Sequence, residues 1–183
     1  MKKRLTLIQM DVHINDVEYN YNRVQELLTQ SLSENPDIIV LPETWNTGFY
    51  PSTDLINIAD TNGDRTKALL SAFTKKHNVN IVGGSVAIAK DNLVFNTSYV
   101  YNRSGELVGE YSKMHGFSPA KEDKYFASGT HTTHFELDGI PCSTVICYDI
   151  RFPELVRMAA LPGTELLFVP AQWPTMRLRH WQV

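Results

Sequence analysis

The run Ile38-Ile39-Val40-Leu41 constrains the fold of this chain more than any other stretch. It is continuously apolar and rich in β-branched side chains, with none of the alternation that a strand with one wet face needs. It therefore reads as a strand buried on both faces. Pro42-Glu43 follow at once, which sets a carboxylate just beyond the carboxyl end of that strand. Ligands of open α/β sheets bind at that edge.

The neighbouring segments supply the layers such a strand requires. Residues 4–10 read as a first strand. Asn15 followed by Glu18 resembles a helix start, and Val17, Tyr21, Val24, Leu28 and Leu32 continue at helical spacing until Asn35-Pro36. Leu69, Leu70 and Phe73 mark a second helix over 64–76. Residues 81–89 read as one strand. Residues 93–101 and 107–111 form a hairpin around Asn102-Arg103-Ser104-Gly105. A polar loop covers 113–129. Strands at 132–137 and 140–146 turn at Asp138-Gly139, and Pro153 opens a third helix that faces the core with Phe152, Leu155, Val156 and Ala159. Pro162-Gly163 stops it, residues 165–169 form a last strand, and 175–183 begin a further helix. The order predicts an α/β layered sandwich with a mixed sheet. No composition shift or repeat divides the chain, so residues 1–183 read as a single domain.

Composition narrows the function. A net charge of -3 supplies no basic surface for nucleic acid and no polybasic membrane patch. The apolar run after Met-Lys-Lys-Arg is too short for a signal peptide, and no run reaches transmembrane length. The expected compartment is the cytoplasm. The two cysteines, Cys142 and Cys147, lack the Cys-x-x-Cys spacing of redox motifs and read as thiols. His13, His77, His115, His131, His134 and His180 are scattered without zinc-motif spacing. On a strand, His131 and His134 fall on opposite faces. Gly83-Gly84-Ser85 is not a phosphate-binding loop and marks close backbone packing instead. Neither a metal nor a cofactor is expected.

Three segments carry candidate chemistry. In Ser143-Thr144-Val145-Ile146-Cys147-Tyr148-Asp149 a branched strand ends in a cysteine ahead of a Pro-initiated helix. A sulfur on that turn projects from the sheet edge near amide groups that favour the reactive thiolate. Glu43 suits a general base. Lys113 opens the loop after the hairpin, where an ammonium can meet a developing oxyanion. Taken singly, each has a plain reading too: a buried structural cysteine, a solvated loop glutamate and a surface lysine.

Taken together, Leu41-Pro42-Glu43, Ser112-Lys113-Met114-His115 and Cys147-Tyr148-Asp149-Ile150-Arg151-Phe152-Pro153-Glu154, in that order, resemble the nitrilase superfamily of carbon–nitrogen hydrolases. The resemblance runs from the first strand to Pro170-Ala171-Gln172-Trp173-Pro174 and is strongest to the omega-amidase branch, which acts on small dicarboxylate monoamides such as 2-oxoglutaramate. Amidases of deaminated glutathione are less similar. The resemblance implies a four-layer α-β-β-α sandwich and a catalytic Glu43, Lys113 and Cys147, with Glu122 as a second glutamate beside the lysine. It implies a small-molecule amide substrate and homodimers for full-length relatives. Arg151 is a candidate carboxylate ligand, or else an ion-pair partner of Asp149 or Glu154. Phe117, Tyr148 and Trp173 are candidate pocket walls, or else core packing. Family members continue well past the Trp-Pro segment. The expectation is therefore a fold incomplete at its C-terminal part and a chain of low activity. An acyltransferase sharing the thioester, and an inactive remnant that only binds, are the competing functions.

Overall fold

The computed structural model describes residues 2–49 and 54–182. In chain order the elements are β1 (Leu5–Leu7), α1 (Val17–Ser31), β2 (Ile38–Val40), α2 (Leu55–Ile58), β3 (Asp60–Thr61) and α3 (Asp64–His77). Next come β4 (Asn80–Val82), β5 (Val86–Lys90), β6 (Leu93–Tyr101), β7 (Leu107–Ser112) and α4 (Glu122–Tyr125). The last are β8 (Thr133–Leu137), β9 (Ile140–Thr144), α5 (Pro153–Ala160), β10 (Leu166–Phe168) and α6 (Leu178–Gln182).

Among the described residues the strands form two sheets. In the larger, β2 lies between β1 and β4, parallel to both. Strand β6 runs antiparallel to β4 and β5 along one edge and to β7 along the other, and β3 flanks β5. The smaller sheet sets β9 between antiparallel β8 and parallel β10.

The central run explains the stacking. Ile39 and Leu41 pack against Tyr21, Val24 and Leu28 of α1 and Leu70 of α3. Ile38 and Val40, one residue out of phase, pack against Phe135, Leu137, Cys142 and Phe168 of the smaller sheet. Full burial of each such side chain contributes about 1.5–3 kcal/mol. Leu155 and Ala159 of α5 cover Val145, Leu167 and Val169 on the far side. The layers are therefore α-β-β-α, as the resemblance implied.

Local details depart from the sequence reading. The strand expected at 81–89 is two strands, β4 and β5, that follow each other along one edge of β6. The break is at Gly84, whose φ of +62° puts a hypothetical Cβ 2.0 Å from the Pro42 carbonyl oxygen. Only glycine fits that approach. Helix α1 is capped by Asp16, whose side chain accepts from the Tyr19 N–H at 3.1 Å, and not by Asn15, which takes a φ of 61°. The loop 113–129 contains a 3-10 turn at Ser118–Ala120 and helix α4. His131 lies outside β8, so the opposite-face expectation for His131 and His134 does not apply. Elements α2 and β3 were not foreseen, because each is too short for a periodic signal.

Candidate active site

The break between β4 and β5 has a direct effect on Glu43. The Ser85 N–H donates to the Pro42 carbonyl at 3.0 Å, the Thr44 N–H to Ser85 Oγ at 3.0 Å, and the Trp45 indole to the Gly83 carbonyl at 2.9 Å. The residues on either side of Glu43 are thus pinned, and its side chain is fully buried. Lys113 follows β7 directly, and its N–H donates to the Asn96 carbonyl of β6 at 2.8 Å, which prolongs the ladder by one rung. Glu122 is the first residue of α4. Cys147 opens the 3-10 turn Cys147–Arg151 beyond β9, and its N–H donates to the Pro170 carbonyl at 2.9 Å. Its φ of 48° is left-handed, a conformation that costs a non-glycine residue about 1–3 kcal/mol.

These four side chains meet. Lys113 Nζ lies 2.8 Å from Glu43 Oε1, and 2.9 and 2.7 Å from Glu122 Oε1 and Oε2. Asn96 Nδ2 donates to Glu43 Oε1 and Glu122 Oε1, both at 3.1 Å. The Phe117 N–H donates to Glu122 Oε2 at 2.8 Å, and the Gln172 N–H to Glu43 Oε2 at 2.9 Å. Each carboxylate oxygen has a donor, which buried charge requires. The Cys147 side chain lies close enough to Glu43 and Lys113 for both charges to act on its thiol.

The surroundings act on the Cys147 thiol in opposing directions. Burial, then the Glu43 charge, push the Cys147 thiol far above the ordinary cysteine value, against the pull of Lys113. Both causes favour the thiol form, opposite in direction to the pull of the turn's amide groups. Burial by itself would lower the Lys113 pKa. The Glu43 and Glu122 charges outweigh it and hold the ammonium above the ordinary lysine range.

Cys147 opens onto a cavity of about 240 Å³. Phe117, Tyr148, Arg151 and Trp173 line it, so all four candidate binding residues reach one space. Phe49, Gln172, Arg177 and His180 line it too. Trp173 also packs on the cluster of Tyr111, Ile146 and Cys147, so wall and core coincide there. Arg151 makes no ion pair with Asp149 or Glu154. Its guanidinium donates to the His180 carbonyl and lies 5.5 Å from the Trp173 ring centre. Asp149, fully buried, binds His115 Nδ1 at 2.9 Å instead.

Sequence reasoning missed Asn96, Asp149 and Gln172 as parts of the site. Asn96 left a faint signal, since asparagine is depleted in strand interiors. Among the described residues no group of three or more His, Cys, Asp or Glu side chains is arranged to hold a metal, and no helix is long and apolar enough to cross a membrane.

Comparison with known proteins agrees with the α-β-β-α sandwich. The carbon-nitrogen hydrolase family matches residues 4–183, and the chain belongs to that family, within the nitrilase superfamily. It is 39% identical over 182 residues to the 2-oxoglutaramate amidase of Bacillus subtilis (strain 168), an alignment that covers all of this chain and 70% of that protein. Its fold is similar to XC1258 from Xanthomonas campestris, a CN-hydrolase superfamily protein with an arsenic adduct in the active site (TM-score 0.86, 28% identity, 98% of this chain and 68% of that one). It is also similar to Nit3 of Saccharomyces cerevisiae, a member of branch 10 of the nitrilase superfamily (TM-score 0.86, 26% identity, 99% and 69%).

Proposed function

We propose that this chain hydrolyses the amide of a small carboxylate-bearing compound through a thioester on Cys147, with release of ammonia. The observation that carries the reading is the joint placement: Cys147 at the cavity wall beside Glu43, and Glu43 in contact with the Lys113 ammonium at 2.8 Å. Glu43 takes the thiol proton as sulfur attacks the amide carbon. The oxyanion forms against Lys113 and the Tyr148 backbone N–H, and losing one such donor typically costs about 3 kcal/mol of barrier. Glu43 returns the proton to the leaving nitrogen, so ammonia departs and the acyl group stays on sulfur. Glu43 then activates a water that cleaves the thioester and frees Cys147 and the acid. Glu122 holds Lys113 in place and balances its charge.

The substrate class rests on the cavity and on the similarity to a 2-oxoglutaramate amidase. Aromatic walls at Phe117, Tyr148 and Trp173 suit a short acyl chain, and Arg151 offers a bidentate fork to a terminal carboxylate. Incubation with 2-oxoglutaramate or succinamate, with ammonia assayed and intact mass recorded, tests this. Ammonia release together with an acyl adduct that disappears in Cys147→Ala is the expected result. An adduct without ammonia release points to acyl transfer. An adduct that survives Cys147→Ala but not Cys142→Ala refutes the assignment of the nucleophile.

A further inference from the structure

Asp149 is fully buried and unused by the steps above. Its carboxylate accepts from the Ile146 N–H at 3.1 Å, the Tyr111 hydroxyl at 2.7 Å, the His115 N–H at 2.9 Å and His115 Nδ1 at 2.9 Å. A carboxylate only accepts, so Nδ1 is the protonated ring nitrogen of His115. The first of these bonds matters most. Asp149 ties down the residue immediately before Cys147 while standing two residues after it, so the nucleophile is bracketed at the point where its backbone is left-handed. The bonds to Tyr111 and His115 anchor that bracket to β7 and to the start of the loop after it, which also present Lys113. From His115 a chain of ring contacts leads to the cavity: His115 stacks on Phe152 at 3.6 Å, Phe152 meets Tyr148 edge-on at 5.5 Å, and Tyr148 meets Phe117 edge-on at 5.1 Å.

We propose that Asp149 is a positioning residue: it holds the Cys147 turn so that sulfur meets Glu43. This rests on the reading of Cys147 as nucleophile, and a probe that does not depend on turnover separates the two. The second-order rate of Cys147 alkylation by iodoacetamide is measured by intact mass, alongside kcat and KM for succinamate, on variants shown to be folded by circular dichroism. If wild-type protein releases no ammonia, the amidase reading fails while the alkylation rates still decide the role of Asp149.

The sign of the effect discriminates. Removing a negative charge near the sulfur would, by charge alone, ease ionisation and speed alkylation. Loss of positioning slows it, because sulfur leaves its base. Asp149→Asn is expected to alkylate about 10- to 100-fold more slowly, with kcat down by a similar factor and KM changed less than about threefold. An unchanged or faster rate overturns the proposal. Should Asp149→Asn fail to fold, Tyr111→Phe keeps the carboxylate and removes one donor. A rate about two- to fivefold slower is expected there, and a rate equal to wild type overturns the proposal equally.

Discussion

Glu122→Gln exchanges one oxygen for a nitrogen, yet the surroundings leave that nitrogen no good place. In the native site Oε1 accepts from Lys113 Nζ at 2.9 Å and Asn96 Nδ2 at 3.1 Å, and Oε2 accepts from Lys113 Nζ at 2.7 Å and the Phe117 N–H at 2.8 Å. A glutamine amide has one acceptor and one donor end. If its NH2 faces Phe117, it confronts an N–H and an ammonium. If it faces Asn96, the Asn96 amide can turn over and offer Oδ1, which has no partner in the native site, but that gives up its bond to Glu43. Either way Lys113 loses one of two counter-charges while buried. Breaking a buried pair from one side costs about 3–5 kcal/mol. The Asn96 rearrangement puts the expected cost near the lower end. With a urea m-value of about 1–3 kcal/mol per M, the unfolding midpoint should fall by roughly 1–3 M at unchanged m. Equilibrium urea unfolding followed by tryptophan fluorescence measures this. The Glu122 charge also raises the Cys147 thiol, so the pH profile of Cys147 alkylation should move to lower pH in the same variant. Stability within about 1 kcal/mol of wild type, at unchanged m, would refute the account of Lys113 as a cation held by two buried carboxylates.

Two further outcomes follow from the same geometry. Cys147 stays a thiol in the folded chain while an unfolded cysteine ionises near pH 8.5, so its contribution is intact below that pH and is lost as pH rises, at about 1.4 kcal/mol per pH unit. Urea titrations between pH 8.5 and 10 should therefore show a shallower decline for Cys147→Ala than for wild type, and parallel slopes would contradict this. Gly84→Ala should cost more than about 2 kcal/mol and lower the activity of the protein that remains folded, because the added carbon meets the Pro42 oxygen beside Glu43. Gly139→Ala, at a φ of +79° with nothing within 4 Å, isolates the backbone cost alone, about 1–2 kcal/mol. Equal losses for the two alanines would remove the argument from close approach.

The layering was legible in the sequence because the signal was strong and local. Ile38 to Leu41 declared two buried faces, and the helical spacing from Val17 to Leu28 declared one. The break at Gly84 was less legible. The branched apolar residues on both sides suit one strand equally well, and the reason for the turn is the distant Pro42 carbonyl. At the site, the resemblance to the family singled out Glu43, Lys113, Glu122 and Cys147. Asn96 and Gln172 stayed hidden, since each gains its importance from donating to the Glu43 carboxylate, which lies 53 residues from the one and 129 from the other. Asp149 was visible only as a possible partner of Arg151. Its partners, Tyr111 and His115, are set by how β7 passes the Cys147 turn.

The segment after β10 gives the site its order of assembly. Pro170 takes the amide hydrogen of Cys147, and Gln172 supplies one of the donors to Glu43. During synthesis, the thiol leaves the ribosome before the residues that will seat it, and until then it stands in water with the acidity of any free cysteine. In that interval oxidants and electrophiles meet an ordinary thiol. In the folded chain, with residues 170–172 in place, the sulfur is almost wholly out of solvent and lies beside Glu43. Folding thus exchanges a solvated thiol for one that is buried beside a carboxylate.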